Sequence, residues 1–275
     1  MKEKILLFFN SITDKFNDAL SEESVKKFFA KKKNRVIFTV VASLILVILT
    51  TLIAGAIYVG DYYRADDEAI AEFTEAFAAE NASVTVEKNG MIIARPKEAK
   101  AGLIFYPGGK VEHSAYLPLM LSLAEEGILC VLVPMPMRLA VLDVNAADGI
   151  PEMFPEVDSW YIGGHSLGGS MAASYISKNT DKFDGLVLLA SYSTADVSGT
   201  RVLSMYGTED GVMNQEKYSE CRSNLPIDRK EVLINGGNHA YFGMYGEQDG
   251  DGVADITPTE QIRRATYRIA DFILQ

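Results

Sequence analysis

Apolar and polar positions fall into three regimes along this chain. Between Met1 and Lys27 the apolar residues Ile5, Phe8, Phe9, Ile12, Phe16 and Leu20 recur at helical spacing among Lys, Asp and Asn. That spacing predicts an amphipathic helix, lying on a membrane surface or free in water. Val36 to Gly60 is a run of 25 residues without a charge. At about 1.5 Å per residue, a helix of that length crosses a hydrocarbon layer about 30 Å thick. From Ser83 onward, short apolar runs alternate with helix-like ones. Asn89-Gly90, between Val84–Glu87 and Met91–Arg95, predicts a β-hairpin. Further strands are expected at Gly102–Tyr106, Ile128–Pro134, Ser159–Ile162, Gly185–Ala190, Arg201–Tyr206 and Glu231–Ile234. Helices are expected at Ala115–Glu126, Leu139–Ala147, Leu167–Lys178, Asn214–Cys221 and Pro258–Leu274. Continuous Val/Ile/Leu runs belong to strands buried on both faces. Their alternation with helices predicts the α/β class: a mostly parallel central sheet with helices on both faces.

Charge divides the chain further. Residues 1–60 hold nine Lys/Arg against five Asp/Glu, a balance of +4, and the remainder holds 17 against 32, a balance of −15. Lys26, Lys27, Lys31, Lys32, Lys33 and Arg35 precede the uncharged run, whereas Asp61, Asp66, Asp67 and Glu68 follow it. The positive-inside rule then places the amino terminus in the cytoplasm and everything after Asp61 outside it. The expected organisation is a basic segment over 1–35, a transmembrane helix over 36–60, a charged, alanine-rich helical linker over 61–82 and a folded domain over 83–275. Ala54-Gly55-Ala56 offers a cleavage site, but the apolar run is longer than a signal peptide's, so an uncleaved anchor is preferred. An acidic domain repels polyanions, which argues against a nucleic-acid partner.

The candidate chemistry centres on Gly164-His165-Ser166-Leu167-Gly168, which follows a strand and precedes a helix. In that context Gly-x-Ser-x-Gly is a nucleophile elbow, a strained turn that lifts the serine hydroxyl clear of the sheet. A serine hydroxyl needs a base to take its proton. Of the three histidines, His165 lies in the elbow and should point away from Oγ, and His113 starts a helix beside the site. His239 follows the last strand in the glycine-rich loop Asn235-Gly236-Gly237-Asn238-His239, and is the expected base. Asp210, in the loop after the strand ending at Tyr206, is the expected orienting acid, with Glu209 and Asp196 as fallbacks. Backbone N–H donors for an oxyanion are expected from Leu167 and from Pro107-Gly108-Gly109-Lys110, with Gly109 or Lys110 supplying the second.

A hairpin leading into such a sheet, with a serine elbow near its middle and the order Ser166, Asp210, His239, resembles the α/β-hydrolase superfamily over residues 83–275. Its small dienelactone-hydrolase-like members are the most similar, except that this chain carries serine where that enzyme has cysteine. The resemblance implies acyl chemistry on a small acyl substrate, not the ring-opening activity. About ten residues separate Ala190 from Arg201, which leaves no room for a lipase-type lid. Met135–Arg138 and Ile150–Pro155 are expected to shape an apolar acyl pocket or to serve as filler.

No cofactor is expected, because no P-loop or strand-borne GxGxxG occurs. No metal is expected either: Cys130 and Cys221 are read as separate thiols without ligand spacing. The acidic loop Glu247–Asp255 lacks the full calcium ligand set and reads as a solvated turn. The sequence thus describes an anchored serine hydrolase of an ester or related acyl bond, with a peptidase, a thioesterase or a non-catalytic binding module as alternatives.

Overall fold

The computed structural model describes residues 13, 15, 17–77 and 80–275, so most of the amphipathic stretch expected over Met1–Lys27 lies outside the described residues. Two compact units divide at Gly60 and Asp61. In the first, helix α1 (Glu22–Ala30) is capped by Ser21, whose Oγ accepts the Ser24 N–H at 3.3 Å. Helix α2 (Lys32–Gly60) has 29 residues and a mean hydropathy of 2.9, long and apolar enough to cross a membrane. None of its residues is buried.

The second unit runs from Asp61 to Gln275, so it begins ahead of the boundary expected at residue 83. The reason is helix α3 (Asp67–Phe77), which buries Ile70 and Phe73 in the domain core. Residues 61–77 are therefore part of the domain rather than a linker.

The sheet has eight strands: β1 (Ala82–Val86), β2 (Ile92–Pro96), β3 (Ala101–Tyr106), β4 (Ile128–Leu132), β5 (Trp160–His165), β6 (Gly185–Leu189), β7 (Arg201–Gly207) and β8 (Lys230–Ile234). Their spatial order is β1-β2-β4-β3-β5-β6-β7-β8. The β1–β2 hairpin and the β2–β4 pair are antiparallel, and every pairing among β3 to β8 is parallel. This is the α/β-hydrolase architecture that the resemblance implied.

Alternation along β3 shows how the two faces are filled. Leu103 and Phe105 pack with helix α4 (Leu117–Glu125), helix α7 (Pro258–Ile273) and α3. Ile104 and Tyr106 point to the other face, against helix α5 (Leu167–Ile176). Both sets are fully buried, which explains why the strand reads as an unbroken apolar run. Helix α6 (Gln215–Cys221) starts at Asn214, whose side chain caps Lys217 N–H at 2.8 Å.

One expected helix is absent. Leu139–Ala147 holds only a short 3₁₀ turn, Ala140–Leu142, followed by irregular chain. Met137 and Arg138 take positive φ values of 51° and 59°, which reverse the chain before it. The Tyr106 hydroxyl then accepts Ala147 N–H at 2.8 Å and donates to the Val144 carbonyl at 2.9 Å. Backbone groups that a helix would pair internally are satisfied by this side chain.

Ser166, Pro107–Lys110, Asp210 and His239 follow β5, β3, β7 and β8, so all emerge at the carboxyl ends of parallel strands. That edge is where open α/β sheets build their sites.

Candidate active site

The elbow carries real backbone strain. Ser166 sits between β5 and α5 at φ 52° and ψ −123°. A non-glycine residue in such a region costs about 1–3 kcal/mol and persists only where its neighbours hold it. Here Ser166 N–H donates to the Leu189 carbonyl at 2.9 Å. Its own carbonyl accepts the Ser170 N–H at 3.2 Å and the Ser191 hydroxyl at 2.7 Å. With the backbone pinned from three sides, Oγ makes no hydrogen bond among the described residues.

Gly168 shows why the motif needs its glycines. A Cβ there would lie 2.3 Å from the carbonyl oxygens of both Tyr106 and Pro107. Those atoms are backbone and cannot step aside. Gly168→Ala is therefore expected to destabilise the domain by about 3 kcal/mol, read as a lowered urea midpoint; an unchanged midpoint would contradict this packing.

The candidate base and acid meet. His239 Nδ1 lies 2.9 Å and 3.1 Å from the two carboxylate oxygens of Asp210, and both side chains are fully buried. Asp210 Oδ1 also accepts the N–H groups of Val212 at 3.0 Å and Met213 at 2.8 Å. A carboxylate facing Nδ1 fixes the tautomer: Nδ1 carries the proton and Nε2 keeps its lone pair. Nε2 is buried and has no hydrogen-bond partner among the described residues. No hydrogen bond joins it to Ser166 Oγ. The neighbouring His165 ring stacks at 4.6 Å between centroids, tilted by 54°. The fallback acids stand elsewhere: Asp196 is bound to Ser198 N–H, and Glu209 accepts from the Thr208 hydroxyl.

Asp251 has a role that sequence reading missed. Its Oδ1 accepts the N–H groups of His239 at 3.2 Å, Gly211 at 3.1 Å and Gly252 at 2.9 Å, and Oδ2 accepts Ala240 N–H at 2.9 Å. One carboxylate thus ties the His239 loop to the Asp210–Gly211 loop, where a solvated turn was expected. Its only sequence signal is an aspartate among glycines, a pattern that ordinary turns share. No group of three or more His, Cys, Asp or Glu able to hold a metal occurs among the described residues.

The two expected backbone donors are unused among the described residues. Neither Gly109 N–H nor Leu167 N–H has a partner among the described residues, whereas Lys110 N–H donates to the Arg138 carbonyl at 2.9 Å. Of the two candidates in the donor loop, Lys110 N–H is thus engaged and Gly109 N–H is not. A Cβ on Gly109 would lie 2.9 Å from the Leu167 side chain, so the two donor-bearing residues are packed together.

His165 is buried, as a packing residue should be, and it also forms a relay. Gly108 N–H donates to the Tyr116 hydroxyl at 3.1 Å, that hydroxyl bonds His165 Nδ1 at 2.8 Å, and His165 Nε2 reaches the His239 carbonyl at 3.1 Å. Nε2 must donate to that carbonyl, and in the neutral ring that burial favours Nδ1 is then the acceptor. Burial, with the neighbouring His239, holds its pKa well below the ordinary value. An unfolded chain takes up a proton at this residue near pH 6.5, which the folded chain refuses. The resulting stability is therefore complete above about pH 6.5 and falls by up to about 1.4 kcal/mol per unit below it. His165→Gln should flatten the fall in melting temperature between pH 7 and 5; identical slopes would refute the assignment.

A pocket of about 280 Å³ adjoins the donor loop, lined by Pro107, Val111, His113, Met135, Met137 and Arg138 among others. Met135–Arg138 thus does shape a pocket wall, whereas Phe154 packs on Trp160 at 6.0 Å in the core. His113 rims the pocket with Nε2 bonded to the Gly90 carbonyl at 2.9 Å. A larger groove of about 530 Å³, between α3 and Tyr241–Glu247, is lined by none of the candidate catalytic residues. Both cysteines are free thiols, and burial pushes the Cys130 thiol up.

Comparison with known proteins bears on this arrangement. The profile of the alpha/beta hydrolase family matches residues 102–263, more than half of the chain. Among solved structures, dienelactone hydrolase from Anabaena variabilis superposes with a TM-score of 0.52 at 11% identity, covering 71% of this chain and 98% of its own. TT1662 from Thermus thermophilus superposes at 0.51 with 13% identity, covering 70% and 98%. At these identities the likeness is one of fold. No curated protein matches the sequence.

Proposed function

Since this chain belongs to the alpha/beta hydrolase family and is a hydrolase, we propose that it cleaves a carboxylic ester or related acyl bond through Ser166, His239 and Asp210. Ser166 Oγ attacks the acyl carbon while His239 Nε2 takes its proton. The carbonyl oxygen becomes an oxyanion between the N–H groups of Gly109 and Leu167. Collapse breaks the bond to the leaving alcohol, which departs with the proton from Nε2. Water then repeats the sequence on the acyl-enzyme, releasing the acid and restoring the serine. Asp210 holds the imidazole in the required tautomer and balances its transient charge.

The observation that carries this reading is the buried His239–Asp210 pair at 2.9 Å with an unpartnered Nε2. The pairing of two unused N–H groups at Gly109 and Leu167 supports it from the oxyanion side. Helix α2 acts as a single-pass anchor in this reading, with the amino terminus cytoplasmic and the hydrolase domain outside.

The test uses the full chain in detergent micelles, offered ester, thioester and amide forms of one acyl group alongside a fluorophosphonate probe. Covalent labelling with fastest turnover of the ester is the expected result. A faster thioester or amide would move the assignment to a thioesterase or peptidase. Neither labelling nor turnover would leave a hydrolase fold used for binding alone.

A further inference from the structure

Asp61 to Ala65, the five residues that follow α2 in the sequence, lie against the candidate oxyanion loop. Tyr63 N–H donates to the Lys110 carbonyl at 2.8 Å, and Glu112 N–H donates to the Tyr63 carbonyl at 2.9 Å. Together these make a parallel bridge between Tyr63 and Val111. Ala65 N–H adds a bond to Glu112 Oε2 at 3.2 Å, and Lys110 Nζ meets Asp61 Oδ2 at 2.7 Å. The Arg138 guanidinium lies 3.3 Å above the Tyr62 ring, and Arg138 supplies the carbonyl that holds Lys110 N–H. Residue 110 is thus bound at its amide, its carbonyl and its side chain.

This degree of restraint has a physical reason. Lys110 adopts φ 58°, a left-handed conformation that a lysine leaves unless its surroundings forbid it. Relaxing it would swing the chain next to Gly109, whose N–H is the candidate donor. The same Tyr63 reaches the base side of the site as well. Its hydroxyl accepts Asp249 N–H at 3.1 Å, two residues before the Asp251 carboxylate that ties down His239. Its ring lies 5.7 Å from that of Tyr245.

We propose that Asp61–Ala65 is a strap that positions the donor loop and the base loop together, so that the segment leaving the apolar helix is part of the active site. The proposal rests on the serine-hydrolase reading given above. Tyr63 and Asp61 are positioning residues that act through Lys110 and Asp249, and Glu112 holds the strap at Tyr63 and Ala65.

The experiment compares the full chain with Tyr63→Pro, which removes the N–H held by Lys110 together with the ring and hydroxyl, and Tyr63→Phe, which removes only the hydroxyl that accepts from Asp249. Each is measured for kcat, KM and melting temperature. Each is also assayed for inhibition by a trifluoromethyl ketone, whose tetrahedral adduct places an oxyanion between the donors. Active molecules are counted by exhaustive fluorophosphonate labelling. Displacing the donor loop should lower kcat per labelled molecule about 100-fold in Tyr63→Pro with KM nearly unchanged. The ketone should weaken by the same factor. Tyr63→Phe should lower kcat about fivefold, the effect of one hydrogen bond. A wild-type kcat per labelled molecule in Tyr63→Pro would overturn the strap. So would an unchanged Tyr63→Phe if Tyr63→Pro does not fold. A wild-type chain that is neither labelled nor active refutes the hydrolase reading first, a result separate from any difference between the variants.

Discussion

Replacing Ser166 with alanine is expected to lower ester turnover by about 10⁶-fold while leaving thermal stability close to that of the parent chain. Loss of the nucleophile removes the acyl-enzyme route, and what remains is the help that donors and binding give to direct attack by water. Stability should hold because Oγ makes no hydrogen bond among the described residues, and because the backbone bonds to Leu189, Ser170 and Ser191 do not involve the side chain. Alanine inherits the same φ of 52°, so the strain is neither relieved nor increased by much. Initial rates with a chromogenic ester, beside melting curves of both chains, provide the check. Retained turnover would remove the serine from the chemistry.

Asp210→Asn should be the next most damaging change, costing about 10⁴-fold in kcat with little effect on KM. The geometry determines how the new amide sits. Oδ1 accepts N–H groups from Val212 and Met213, so the amide oxygen must occupy that position. The NH₂ group then takes the place of Oδ2, 2.9 Å from His239 Nδ1. Two donors cannot face each other, so Nδ1 gives up its proton and Nε2 carries it instead. An imidazole in that tautomer has no lone pair to offer the serine hydroxyl. The change is isosteric and leaves the buried pair uncharged, so folding should survive. A turnover within tenfold of the parent would show that the acid does no more than fill space.

Several parts of this architecture were legible in the sequence because a local rule dictates them. The elbow reads directly from Gly164, Ser166 and Gly168, since backbone carbonyls crowd the position opposite Gly168. Strands such as β3 read as unbroken apolar runs because Leu103 and Ile104 are both buried, on opposite faces. His239 and Asp210 could be named because loops after β8 and β7 open on the same edge of the sheet. What the sequence hid was decided by tertiary contacts. Residues 139–147 have helical spacing, yet the Tyr106 hydroxyl captures their backbone from a strand far away in the chain. Asp251 resembles any aspartate in a glycine loop until its carboxylate is seen among four N–H groups. Residues 61–65 are polar and short, and nothing in them announces a partner in Lys110. Each of these depends on a pairing of residues distant in sequence, which no local pattern encodes.

Trapping the acyl-enzyme tests the central claim most directly. The full chain is mixed with an excess of a slowly hydrolysed ester, quenched in acid, digested and mapped by mass spectrometry. The account predicts one acyl group per chain on the peptide holding Ser166, absent from Ser166→Ala and accumulating in proportion to the first turnover. An acyl group on another residue, or steady turnover with the Ser166 peptide unmodified at every quench time, would contradict it.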